Sequence, residues 1–131
     1  MTRFATASAA LLASAFLAAC AMSPTAKDQD TPTVMNGMLV GPQQMTLYVF
    51  DKDTTGSGKS VCNGGCATNW PPLIAPAGAM PKADWSLVTR DDGAKQWAYQ
   101  GRPLYYWAKD SKPGDKTGDG FAGNAWHVAK P

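Results

Sequence analysis

Six side chains at matched spacing carry most of the chemistry this chain can offer. Tyr48, Phe50 and Asp53 recur 57 positions later as Tyr105, Trp107 and Asp110. Each trio joins a phenol, a second ring and a carboxylate. Rings beside a carboxylate suit a glycan or aromatic-ligand platform, through stacking and orienting hydrogen bonds. The same residues also suit a fold: Tyr fills a small β-core and bonds its hydroxyl, while Asp closes the turn after its strand. Duplication favours the second use, because a fold built from two copies needs both and a site needs one.

Cys62, Cys66, His127 and the methionines Met35, Met38 and Met45 form a second set, of soft metal ligands. Zinc normally takes four N, S or O ligands, or three and a water, and copper accepts His with Met or Cys. A single histidine is thin for either, so no metal and no other cofactor is expected. A periplasmic metal- or redox-handling protein using Cys62, Cys66, His127 and nearby Met is the alternative reading. Cys62 and Cys66 lack the two-residue spacing and strand-to-helix setting of thiol redox sites. Asp115, Thr117 and Asp119 open like a calcium loop, but the position that needs a bidentate Glu falls on Trp126. With neither Gly-x-Ser-x-Gly nor His-Glu-x-x-His in the chain, no enzyme activity is expected.

The elements that must position these residues read as strands. Met38 to Val40 is a short apolar run, and Gly41-Pro42-Gln43-Gln44 is a turn. Met45 to Phe50 alternates, with Leu47 and Val49 on one face and Tyr48 and Phe50 on the other. Residues 51–60 form a polar loop. Pro71 and Pro72 exclude a central strand there. Asp91-Asp92-Gly93 between Trp85–Arg90 and Lys95–Tyr99 is a hairpin signal. Gln100-Gly101-Arg102-Pro103 turns into Leu104–Trp107, and a last strand surrounds Trp126-His127-Val128. Short strands at this turn spacing predict an all-β domain. Two duplicated antiparallel units, about 36–80 and 81–131, would pack pseudo-symmetrically as a small sandwich or partly open barrel.

Residues 1–19 read as a signal peptide: Arg3 heads an apolar, Ala-rich run too short to span a bilayer. The run closes on Leu17-Ala18-Ala19-Cys20, which resembles a bacterial lipobox with Cys20 as the lipidated residue. Acylation at Cys20 would make the membrane a partner through the anchor. The protein would then face the periplasm from the outer membrane of a Gram-negative cell, or sit outside the plasma membrane otherwise. Residues 20–35 read as the lipidated Cys with a flexible tether, and 36–131 as the single β-domain. Without residues 1–19 the balance is 11 basic against 10 acidic side chains. That gives no electrostatic case for nucleic acid. In an oxidising compartment, and with Cys20 lipidated, Cys62 and Cys66 remain as an even pair expected to form a disulfide. Its short loop implies a contribution of about 2 kcal/mol.

The duplicated Tyr-x-aromatic-x-x-Asp phrase resembles the signature of a family of predicted bacterial lipoproteins, the secreted repeat of unknown function. The likeness extends through the Cys62/Cys66 pair, Trp70-Pro71-Pro72-Leu73, Pro103-Leu104-Tyr105 and the closing Gly118, Gly120, Gly123 and Trp126. It covers about 37–131 and departs at Gln44, where the resemblance implies a glycine in a positive-φ turn. It implies no established activity. The expected function is a non-catalytic binding or structural module whose exposed Trp and Tyr contact a glycan, a hydrophobic small molecule or another envelope protein.

Overall fold

The computed structural model describes Thr2 and residues 31–131. The expected signal peptide and the lipidation at Cys20 lie outside the described residues. The strands are β1 (Thr33–Met35), β2 (Met38–Val40), β3 (Tyr48–Phe50), β4 (Trp85–Thr89), β5 (Lys95–Tyr99), β6 (Arg102–Pro103) and β7 (Trp126–Val128). They make three small antiparallel sheets, β1–β2, β3–β7 and β4–β5–β6, so the chain is all-β, with no closed barrel among the described residues. Short helical turns occur at Gly65–Asn69 and Phe121–Asn124, and a 3-10 turn at Pro42–Gln44.

Strand β1 lies where the sequence implied tether. Met35 pairs with Met38 across the two-residue turn Asn36-Gly37, at φ 52° and 75°. Two consecutive positive φ values define the type I′ turn whose twist matches a hairpin, and Asn-Gly is its strongest sequence signal. Ordered structure therefore includes residues 33–35, before the expected boundary at 36. Gln100-Gly101, at φ 49° and 78°, makes the equivalent turn between β5 and β6.

The two repeats do not fold side by side; each completes the other. β7, from the end of the second repeat, pairs with β3 of the first, Tyr48 opposite Val128 and Phe50 opposite Trp126. In return Pro72 of the first repeat bridges Tyr105 of the second. Backbone bonds repeat the exchange. Leu39 N–H donates to Ala129 O, Ala129 N–H to Leu47 O and Leu47 N–H to Leu39 O, a closed ring of three. Trp97, Leu73 and Leu104 close the same ring in the other half. Tyr48 and Tyr105 exchange N–H···O bonds of 2.8 and 3.0 Å, so a pseudo-twofold axis passes between them.

Alternation along the central strand divides the interior into two cores, as its sequence implied. Tyr48 joins Cys62, Trp70, Tyr105, Trp107 and Trp126, with Phe50 packed against them. Leu47 and Val49 join Leu39, Leu73, Trp97, Leu104 and Ala129. The expected strand Leu104–Trp107 is shorter than its apolar pattern suggests: β6 ends at Pro103, and Tyr105 contributes single bridges.

Gln44 sits at φ 64°, the positive region where a glycine was implied. A left-handed non-Gly residue costs roughly 1–2 kcal/mol, partly offset by the entropy glycine loses on folding. Gln44→Gly should therefore stabilise the protein by about 0.5–1 kcal/mol in urea denaturation. An unchanged or lowered midpoint would mean the Gln44 side chain compensates its own backbone.

Candidate functional site

The duplicated motif is consumed by the exchange between repeats. Tyr48 Oη donates to Asp110 Oδ2 at 2.6 Å, and Tyr105 Oη donates to Asp53 Oδ2. Each phenol thus binds the carboxylate of the other copy. The second oxygen of each carboxylate holds the end of its own loop: Asp53 accepts from Val61 N–H at 2.7 Å, and Asp110 from Thr117 N–H at 3.0 Å. The sequence implied that Asp53 and Asp110 close the turns just after their strands. They reach further than that, across the polar loops and across the repeat boundary. Both tyrosines are fully buried, so neither phenol offers a ligand an open ring face.

Burial raises the pKa of both phenols, and the carboxylate each one faces raises it further. Burial also raises that of Asp53, against the pull of its bonds to Tyr105 and Val61 and of the Arg90 charge. On this geometry the phenols stay protonated and donating across the physiological range.

The rings stack in a palindromic column. Trp70 lies on Trp126 at 3.8 Å and 3° between planes, flanked by Trp107 on Trp70 at 4.1 Å and Phe50 on Trp126 at 4.2 Å. Tyr48 meets Trp70 edge-on and Tyr105 meets Trp126 in the same way. Pro71 and Pro72 carry the chain from Trp70 into the bridge with Tyr105. Gly118 shows how tight this packing is: a Cβ there would stand 2.7 Å from the Trp70 ring. Its N–H also donates to Tyr48 Oη. The spacing Gly118, Gly120, Gly123 matches a dinucleotide-binding fingerprint, but the segment leads into β7 and lacks the strand-to-helix setting that motif needs.

Symmetry ends at the first repeat's loop. Cys62 and Cys66 form a disulfide across the turn leading to Gly65–Asn69. Beneath it Arg90, 4% exposed, donates to Cys62 O at 2.6 Å, Gln96 Oε1 at 2.7 Å, Ser60 Oγ at 3.1 Å and Asn63 Oδ1 at 3.2 Å. Ser60 in turn bonds Tyr105 Oη. Sequence reasoning placed Arg90 at a strand end and missed this role. Three of its four acceptors lie 27 to 30 residues away in the chain, so no local signal marks the site.

The soft-ligand set is not gathered. Cys62 and Met38 share a core, but the Cys62 sulfur is bonded to Cys66, and His127 Nε2 sits 2.7 Å from Asp51 Oδ2 on the other side of β3. Among the described residues no three His, Cys, Asp or Glu side chains stand close enough to hold a metal. Asp115 and Asp119 of the calcium-like loop are tied to Ser111, Lys112 and Val128.

The surface feature suited to a ligand is a cleft of about 280 Å³ between the connector 76–82 and the β4–β5 hairpin. Pro76, Ala79, Met80, Trp85 and Trp97 line it, with Lys82 and Thr31. Met80 is 83% exposed. Trp85 stacks at a tilt on Tyr99, their centroids 4.7 Å apart. Tyr99 walls a neighbouring hollow of about 200 Å³ that holds Arg102, His127 and Lys130. Cross-strand pairing explains the aromatic wall: Trp85 faces Tyr99 and Leu87 faces Trp97, so all four share one face of the hairpin. The sequence had marked Trp85 and Tyr99 only as strand residues.

A family model described as a secreted repeat of unknown function matches residues 30–74 and again 86–130. The two matched spans are the two halves that exchange strands. No curated protein and no solved structure matches the chain.

Proposed function

The chain belongs to the family of secreted repeats of unknown function, and from that premise we propose a non-catalytic binding module held at the cell envelope by lipid on Cys20. The anchor reading rests on Leu17-Ala18-Ala19-Cys20 at the close of the apolar leader. In a Gram-negative cell it puts the domain on the periplasmic side of the outer membrane. The binding reading rests on one observation: the motif's rings and carboxylates are engaged with each other, whereas the cleft beside Trp85 keeps apolar and aromatic surface open to solvent. Ligand sites are concave, largely apolar and furnished with a few polar groups, which this cleft is. A hydrophobic small molecule fits it better than a glycan, because Pro76, Ala79 and Met80 supply little hydrogen bonding.

One experiment addresses anchor and site together. Cys20→Ser protein should leave the detergent phase and still enhance the fluorescence of N-phenyl-1-naphthylamine. Trp85→Ala and Met80→Ala should each weaken that binding, Trp85→Ala by about tenfold or more, in keeping with a buried aromatic contact. Met80 is so exposed that its variant tests the site without disturbing the core. Unchanged probe binding in both variants would remove the cleft as the site, and wild-type protein lacking acyl mass would remove the anchor.

A further inference from the structure

We propose that the cleft beside Trp85 takes a single-chain amphiphile with an anionic head, the chain lying along Trp85 and Met80 and the head at Lys82. This rests on the cleft being the binding site and adds the chemical class of its ligand.

Two observations carry it. The lining is apolar except at Thr31 and Lys82, and Lys82 forms no ion pair among the described residues. Among the described residues no carboxylate lines the cleft, so the charge they bring to it is of one sign. The cleft thus offers a cation beside an apolar surface, the complement of an anionic amphiphile rather than of a cationic or neutral one.

Size limits the chain. An apolar cavity of about 150 Å³ accommodates benzene, so 280 Å³ takes a body about twice that large. An alkyl chain of roughly eight carbons meets that limit, while a two-chain lipid exceeds it.

The test compares octanoate, octanol and octylammonium by titration into ¹⁵N-labelled Cys20→Ser protein, following the indole N–H signals. Octanoate should bind about threefold or more tighter than octanol, the scale of an exposed ion pair, and perturb the Trp85 indole signal. Octylammonium should bind weakest. Lys82→Gln should bring octanoate down to octanol and leave octanol unchanged, as 0.5 M salt should in the wild type. If octanol binds and octanoate binds no tighter, the anionic head is wrong and the apolar site stands. If octylammonium matches octanoate, or Lys82→Gln leaves their ratio intact, the charge assignment is overturned. If none of the three perturbs Trp85 or Trp97, both this inference and the binding site fall.

Discussion

Tyr105→Ala and Tyr48→Ala should each lower the free energy of unfolding by about 3–5 kcal/mol, the usual cost of truncating a buried aromatic. Each ring is fully buried, meets a tryptophan edge-on and sits on the pseudo-twofold axis where the repeats exchange backbone bonds. A small domain holds roughly 5–15 kcal/mol in all, so either change threatens folding at physiological temperature. The carboxylates should separate. Asp53 is 8% exposed, and Asp53→Ala removes the acceptor of the Val61 N–H and one of the two partners of the buried Tyr105 hydroxyl, which keeps Ser60. That loss is about 2–3 kcal/mol on the scale of hydrogen bonds to charged groups. Asp110 is more open, and its replacement by Ala should cost about 1 kcal/mol. Asp53→Asn should restore only part of the loss, since its single amide oxygen replaces one of the two carboxylate oxygens that accept separately from Tyr105 Oη and Val61 N–H.

The pH dependence has a definite sign. Burial raises the folded pKa of Asp53 above its unfolded value. Its contribution is therefore fully present below the unfolded carboxyl range and is lost as pH rises through the folded value. Asp53→Asn should flatten that part of the stability curve. Urea denaturation followed by circular dichroism, on the four alanine variants and Asp53→Asn, measures all of this. Tyr48→Ala and Tyr105→Ala unfolding at the wild-type midpoint would show that the motif is not the centre of the fold.

Much of this arrangement was legible in the residues themselves. Alternation through Leu47, Tyr48, Val49 and Phe50 divides the side chains between two cores because a strand's period is two, and a one-residue slip would have inverted both. The Cys62–Cys66 disulfide followed from redox compartment and parity. Asn36-Gly37 carries a strong hairpin signal, but the proline and polar residues upstream give β1 the composition of a tether. Two features had no local signature. The exchange of last strands is non-local: nothing in Trp126-His127-Val128 says that it pairs with β3 rather than within its own repeat. Arg90 is likewise fixed by acceptors on Ser60, Cys62, Asn63 and Gln96, which no spacing rule brings together. The candidate cleft was the least legible, because it forms where a Pro/Gly connector meets a hairpin face and depends on how the two pack.

Trp70→Ala and Trp126→Ala should each cost about 3–5 kcal/mol as well, but the pair should cost far less than the sum of the two. Trp70 and Trp126 occupy equivalent places in the two repeats and lie face to face at 3.8 Å. Each backs the flanking ring, Trp107 or Phe50, and braces the tyrosine of its own side, Tyr48 for Trp70 and Tyr105 for Trp126. Removing either one opens the middle of the column and takes a face from its twin. The second removal then finds one stacked face of its ring already empty. Residues in direct contact show coupling energies of 0.5–3 kcal/mol, and a ring pair adds about 0.5–1.5 kcal/mol beyond the area it buries. A double-mutant cycle should therefore give a coupling of about 1–3 kcal/mol. Phe substitutions at both positions keep the singles folded enough to measure. The control is Trp85→Phe, on the face that packs toward the second core, which should add to either mutation within about 0.5 kcal/mol. Additivity between Trp70 and Trp126 would mean that the two repeats hold their cores independently. The exchanged strands would then be a connection between two folded units and not the condition for folding either.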